Sequence, residues 1–139
     1  MWPSAISAGK LQVPRRDSLG SSTLEAVLLL PALMLMVLFA VQFAIWAHAG
    51  SVVQAAAAQG DQVARSLGST PAEGVTSAQS FISEVGSGVV VLPSVTAKVM
   101  PGGIVELSVR ASAEALLPGL HLGVSAVRMG PIQEFRSSQ

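Results

Sequence analysis

The strongest pattern in the sequence is an apolar run over residues 26–47, in which Gln42 is the single polar residue. At roughly 1.5 Å of rise per residue, this run makes about 33 Å of helix, enough to cross the hydrocarbon core of a bilayer. Basic residues precede the run at Lys10, Arg15 and Arg16. The next basic residue is Arg65, so we expect a single-pass protein with its N-terminus in the cytoplasm and residues from about 48 onward outside.

Beyond the run, the pattern predicts that the helix continues as an amphipathic extension. Its apolar residues form one narrow stripe that other parts of the protein or its neighbours must cover. The stripe consists of Val53, Ala56, Ala57, Gly60, Val63, Ala64 and Leu67. Asp61 and Arg65 are spaced for an i, i+4 ion pair that contributes about 0.2–0.5 kcal/mol. Gly68 is a natural stop for the helix.

A second helix is predicted directly after this extension. Thr70 and Glu73 have the spacing of a capping box, with Pro71 at the first helical position. Apolar residues then recur at heptad spacing, at Val75, Ala78, Ile82 and Val85. Gly86 is expected to end the helix.

From Val89 onward the hydrophobic period changes to two, which indicates strands. Two alternating segments flank Pro101-Gly102-Gly103. A three-residue loop with glycine in the left-handed conformation predicts a β-hairpin. The expected register places Met100 opposite Ile104 and Lys98 opposite Glu106, so that the apolar faces of the two strands match.

Residues 120–129 are expected to add a third strand, with Leu122, Val124 and Ala126 on its inner face. The preceding link, residues 111–117, is compatible with either a helix or irregular structure. The predicted fold class is therefore α+β and pilin-like in outline. It comprises a long N-terminal transmembrane helix extended outside the membrane, a second short helix and a small antiparallel sheet.

The sequence divides into a basic cytoplasmic leader at residues 1–20, a transmembrane helix with its extension at residues 21–68, and an extracytoplasmic domain at residues 69–139. Half of the 139 residues are hydrophobic, 12% are charged, and eight basic and eight acidic side chains give a formal charge of zero. This composition suits a small membrane-tethered protein and suggests no nucleic-acid partner. The chain has no cysteine, which excludes a disulfide framework and cysteine redox chemistry.

The junction before the apolar run reads Gly20-Ser21-Ser22-Thr23-Leu24-Glu25. A glycine followed five places later by a glutamate, behind a basic leader, resembles the class III signal of type IV pilin-like proteins. Residues 24–31, the apolar block and the Ala-rich residues 55–65 resemble the TadE-like family of Flp/Tad pilus assembly proteins. The resemblance covers residues 20–68, with a weaker echo at residues 130–136. Two departures are Gln42-Phe43, where many members carry an acidic residue and a phenylalanine, and the lack of a distal cysteine pair.

The resemblance implies a minor pilin or pseudopilin that a prepilin peptidase cuts between Gly20 and Ser21. Glu25 would then meet the free N-terminus of a neighbouring subunit during assembly. The alternative interpretation of Glu25 is a boundary carboxylate in the headgroup layer. The implied partners are the peptidase, other pilin or pseudopilin subunits and the pilus assembly platform. The implied location is the cell membrane or a pilus.

Pro31 lies inside the predicted membrane helix, where it lacks an N–H group and its ring clashes with the carbonyl of Val27. A membrane helix more often kinks than breaks at such a residue. The kink either turns Glu25 toward a partner or is merely tolerated.

A secretory signal peptide is the alternative interpretation of this N-terminus, because Ala47-His48-Ala49 is an A-x-A-like cleavage site at the end of an apolar stretch. The apolar run is longer than the roughly 7 to 15 residues of a signal h-region, which argues against it. This alternative would make the protein a small secreted or signal-anchored envelope protein whose sheet domain is a binding module.

The sequence contains no recognisable catalytic constellation. His48 and His121 are far apart and have no second histidine, cysteine or carboxylate at metal-ligand spacing. We therefore expect a building block, with no cofactor and no enzymatic activity.

Overall fold

The computed structural model describes the backbone of residues 19–133 and the side chains of residues 25–133. The elements are α1 (Leu19–Arg65), α2 (Pro71–Val85), β1 (Val90–Met100), β2 (Ile104–Ala113) and β3 (Leu122–Pro131). The predicted α+β fold class is confirmed, with a long apolar helix, a second helix and a three-stranded antiparallel sheet. The predicted leader, apart from its last two residues, and the end of the 130–136 echo lie outside the described residues.

The sheet is a meander in the order β1-β2-β3. Its first hairpin has the register predicted from the sequence, with Met100 opposite Ile104 and Lys98 opposite Glu106. Gly102 and Gly103 adopt φ values of 89° and 70° in the turn, a region that glycine enters without the steric penalty of a Cβ atom. The loop sequence therefore fixes both the turn and the register.

The third strand begins two residues later than expected and extends to Pro131. Leu122, Val124 and Ala126 pair with the inward-facing side of β2, as predicted. The link at residues 111–117 is predicted to be helical or irregular, but its first three residues belong to β2, which continues to Ala113. The reason is that Ala113 keeps the two-residue alternation and is buried, while residues 114–121 are irregular.

Helix α2 begins with the predicted capping box. The Thr70 hydroxyl accepts a hydrogen bond from the Glu73 amide at 3.3 Å, and the Glu73 carboxylate accepts one from the Thr70 amide at 2.8 Å. These reciprocal bonds satisfy donors that the first turn of a helix leaves without partners. Gly86 caps the other end. Ala78 and Ile82 are buried, whereas Val85 at the last turn is exposed.

The core lies between one face of the sheet and the two helices. Helix α1 contributes small and β-branched residues from Ala49 onward, and α2 contributes Ala78 and Ile82. The largest fully buried side chains are Leu107, Val53, Val105 and Val109. Most of the predicted apolar stripe of α1 is buried, but Leu67 is exposed because the helix ends at Arg65.

The ion pair predicted between Asp61 and Arg65 is present, with 2.8 Å between a carboxylate oxygen and a guanidinium nitrogen. It is not the surface pair that the helical spacing alone suggests, because Asp61 is only 6% exposed. Gly130 of β3 lies directly against the Arg65 side chain, so that a Cβ atom there would come within 2.6 Å of it. The Gln133 amide also donates to the Arg65 carbonyl at 3.0 Å.

Candidate functional site

The apolar residues of α1 form the largest exposed hydrophobic surface in the described part of the chain. Most of the side chains of residues 26–47 are exposed, including every phenylalanine and methionine among them. Helix α1 is long and apolar enough to cross a membrane. A contiguous exposed surface of this kind marks a site that contacts lipid or other protein.

By Cα packing, the chain divides into one unit that ends at Leu35 and a second that starts at Met36. The first unit holds the residues that the sequence singled out, namely Gly20, Ser21, Glu25 and Pro31. The second holds the packed sheet domain together with the remainder of α1.

Gly20, Ser21 and Glu25 lie near the start of α1, which begins at Leu19. Ser21 precedes Glu25 by about 6 Å of helix rise. The Glu25 side chain is exposed, and no basic side chain within residues 25–133 pairs with it. It is the last charged residue before Asp61, so the carboxylate borders a surface that carries no other charge.

Pro31 lies six positions after Glu25, and α1 continues through it without interruption. Because proline has no N–H group, the Val27 carbonyl lacks its usual helical hydrogen bond. Pro31 itself is exposed. A free carbonyl is therefore available one turn into the apolar surface.

Gln42, the single polar residue of the apolar run, is 3% exposed. Its amide nitrogen donates to the Glu114 carbonyl at 3.1 Å, and its amide oxygen accepts from the Leu116 backbone N–H at 2.8 Å. Both bonds hold the connection between β2 and β3 against α1. Sequence reasoning missed this role, and the only signal was the isolated polar residue itself.

An aromatic pair adjoins Gln42 on α1. The ring centroids of Phe43 and Trp46 are 5.6 Å apart and tilted by 44°. The Trp46 indole N–H faces the Gly123 carbonyl at 3.5 Å. Tryptophan is common where one end of a side chain is apolar and the other meets polar groups, as at a membrane interface.

The two histidines are not brought together with other metal-binding groups. His48 and His121 are both exposed. Within the described residues, no group of three or more histidine, cysteine, aspartate or glutamate residues is placed to hold a metal ion. The features that stand out are the apolar helix, the carboxylate at its start and the glutamine that joins it to the sheet domain.

Comparison with known proteins relates part of α1 to a known family. Residues 20–60 match the family model described as TadE-like protein. No curated protein and no solved structure matches the chain. The matched segment starts at the glycine of the predicted cleavage site and runs along α1 to the point where α1 meets α2. The resemblance noted from the sequence is thus confirmed over residues 20–60, which are similar to the TadE-like family.

Proposed function

We propose that the protein is a TadE-like minor pilin or pseudopilin of a Flp/Tad-type pilus assembly system. The observation that carries this proposal is the coincidence of the family match with the exposed apolar helix. The likeness of residues 20–60 to this family supports a role in Tad pilus assembly. The finer steps proposed here are cleavage by a prepilin peptidase, insertion in the membrane and packing against other subunits.

In this proposal the peptidase cuts between Gly20 and Ser21 and removes the basic leader. Residues 26–47 span the membrane, and the charge asymmetry holds the N-terminus in the cytoplasm. The sheet domain, the second helix and the amphipathic extension of α1 then lie outside. The exposed apolar surface of α1 supports this arrangement, because contact with lipid and neighbouring helices removes that surface from water.

Cleavage after Ala49 is the competing interpretation, and the packing of the domain argues against it. Ala49 is fully buried in the core, within a continuous helix. Removal of residues 1–49 would strip Ala49 from the core and take away Gln42, which holds the β2–β3 connection. The sheet domain would therefore lose core packing and hydrogen bonds that are present in the folded structure.

Glu25 is proposed to bind the new α-amino group of Ser21 on a neighbouring subunit. Cleavage creates this positive charge about one helical turn before the apolar surface. A carboxylate and an amine that meet at low dielectric attract each other far more strongly than in water. The pairing also removes the free-energy penalty that either charge would carry alone at low dielectric. Glu25 is exposed and has no partner among residues 25–133, which supports an intermolecular role.

Substitution Glu25→Ala tests this assembly step separately from processing. We expect the variant to be inserted and trimmed after Gly20, but to be lost from pilus components that co-purify with the wild-type protein. Glu84→Ala, which removes an exposed glutamate on α2, is the matched control and should behave as wild type. Normal trimming together with wild-type piliation and partner recovery in Glu25→Ala would show that Glu25 is an interfacial bystander.

A further inference from the structure

The connection between β2 and β3 is unusually apolar for a surface loop. Residues 115–120 read Ala-Leu-Leu-Pro-Gly-Leu, and they are bordered by the exposed polar residues Glu114 and His121. Leu116 is 47% exposed. Connections that face water are typically polar and carry turn residues throughout.

The connection lies at the level of the apolar run of α1, because both of its ends are bonded there. Gln42 binds the backbone at Glu114 and Leu116. Trp46, one turn further along α1, faces the Gly123 carbonyl. Gln42 precedes the end of the apolar run by about 7.5 Å of helix rise. The connection therefore lies at the level of α1 where Phe39 and Phe43 have exposed side chains.

Hydrogen bonds hold part of the backbone of the connection. Gln42 supplies a partner for one carbonyl and one N–H group. The Leu120 amide donates to the Leu117 carbonyl at 3.2 Å, which closes a turn within the connection. Irregular backbone is tolerated at membrane depth only where protein groups satisfy it. A buried glutamine inside an apolar run is explained by this requirement.

We infer that residues 115–120 form a second membrane contact, seated at the headgroup and acyl boundary of the outer leaflet and held there by Gln42. The inference rests on the proposed function, because it takes residues 26–47 as the membrane span. Interfacial elements bury their apolar side about 5–10 Å into this boundary, which agrees with the depth of Gln42 along the run. Continuity with the apolar surface of α1 selects lipid as the occupant.

Such a contact limits the motion of the sheet domain. A domain joined to the membrane by one helix is free to tilt about it, whereas two contacts fix which face meets the lipid. On β1 and β2 the outer face of the sheet is polar and remains in water; it is lined by Thr96, Lys98, Glu106, Ser108 and Arg110. A subunit waiting in the membrane would thus present one defined orientation to its partners.

Spin labelling tests the inference cleanly, since the chain has no native cysteine. Single variants Leu116→Cys, Met34→Cys and Thr96→Cys of the full chain are labelled with a nitroxide. They are reconstituted in phosphatidylcholine and phosphatidylglycerol vesicles. Collision rates are measured with oxygen, which concentrates in lipid, and with a water-soluble nickel chelate. Met34 is the lipid reference within the apolar run, and Thr96, exposed on the polar face of the sheet, is the aqueous reference.

The expected oxygen-to-nickel ratio at Leu116 is several-fold higher than at Thr96. A ratio equal to that of Thr96, with Met34 still in lipid, overturns the inference and leaves the membrane span intact. Protection of Leu116 from both reagents overturns it in favour of contact with a neighbouring subunit. A water-exposed Met34 refutes the proposed span itself and the inference with it.

The role of Gln42 is tested by adding Gln42→Leu to the labelled Leu116→Cys protein. This change keeps the run apolar but removes both hydrogen bonds to the connection. The oxygen-to-nickel ratio should fall several-fold, because unsatisfied backbone groups move toward water. Gln54→Leu, at an exposed position of the same helix, is the matched control and should leave the ratio unchanged. An unchanged ratio in Gln42→Leu overturns the holding role of Gln42.

Discussion

Gly60 of α1 and Gly74 of α2 lie against each other so closely that neither has room for a side chain. A Cβ atom on Gly74 would come within 2.5 Å of the Gly60 carbonyl oxygen and of the Ala64 Cβ atom. A Cβ atom on Gly60 would come within 2.7 Å of the Gly74 carbonyl oxygen. Glycine inside a helix costs about 1 kcal/mol relative to alanine. The close crossing of the two helices, which only glycine permits, offsets that cost.

Substitution Gly74→Ala should therefore destabilise the domain. The added methyl meets backbone and a short side chain, neither of which can rotate away, and overpacking of this kind costs about 1–3 kcal/mol. The gain in helix propensity, about 1 kcal/mol, opposes it. We expect a net loss of up to about 2 kcal/mol in the free energy of unfolding, measured by thermal or denaturant unfolding of the full chain in detergent.

Gly50→Ala is the matched control on α1, because nothing lies within 4 Å of a Cβ atom at that position. It should be neutral or stabilising by up to about 1 kcal/mol, since only the helix propensity changes. Equal effects of the two substitutions would show that the crossing of α1 and α2 is looser than the structure indicates.

Local chemistry explains which parts of the fold the sequence predicts. The capping box at Thr70 and Glu73 and the Gly102-Gly103 turn are set by residues a few positions apart, and each fixes the element that follows. The hairpin register follows from the turn and the two-residue alternation. These features form the same way whatever the rest of the chain does.

Long-range packing explains what the sequence does not predict. Gln42 bonds to residues more than seventy positions away, and no local pattern announces such partners. Arg65, the ion-pair partner of Asp61, likewise lies against Gly130 of β3, far from it in sequence. Within the candidate site, the run of apolar residues predicts the long apolar helix without further information. The roles of Glu25 and Pro31 stay predictions.

Substitution Gly20→Leu should leave the leader attached. The family resemblance implies a peptidase that cuts after a small residue, and a leucine side chain does not fit where a glycine is accepted. The measurement is the migration of an epitope-tagged protein in cells that contain the peptidase. Gly20→Ala, which keeps a small side chain, should still be trimmed to a substantial extent. A Gly20→Leu protein that migrated as the short mature form would refute a class III cleavage site.

The membrane orientation follows from the three basic residues before the apolar run and the next basic residue at Arg65. A reporter that is active only outside the cytoplasm, fused after Gln139, should therefore be active. A reporter that works only in the cytoplasm, fused at the same position, should be silent. The reverse pair of results would put the sheet domain inside the cell and invert the proposed topology.

Processing between Gly20 and Ser21 separates a pilin-like subunit from every other membrane-anchored protein with this fold. The intact mass of the wild-type protein, isolated from cells that contain a prepilin peptidase, tests it most directly. The predicted result is a polypeptide that begins at Ser21. A polypeptide that begins at Gly50 would contradict this and establish a secretory signal, and an uncut chain would contradict it and establish a plain membrane anchor.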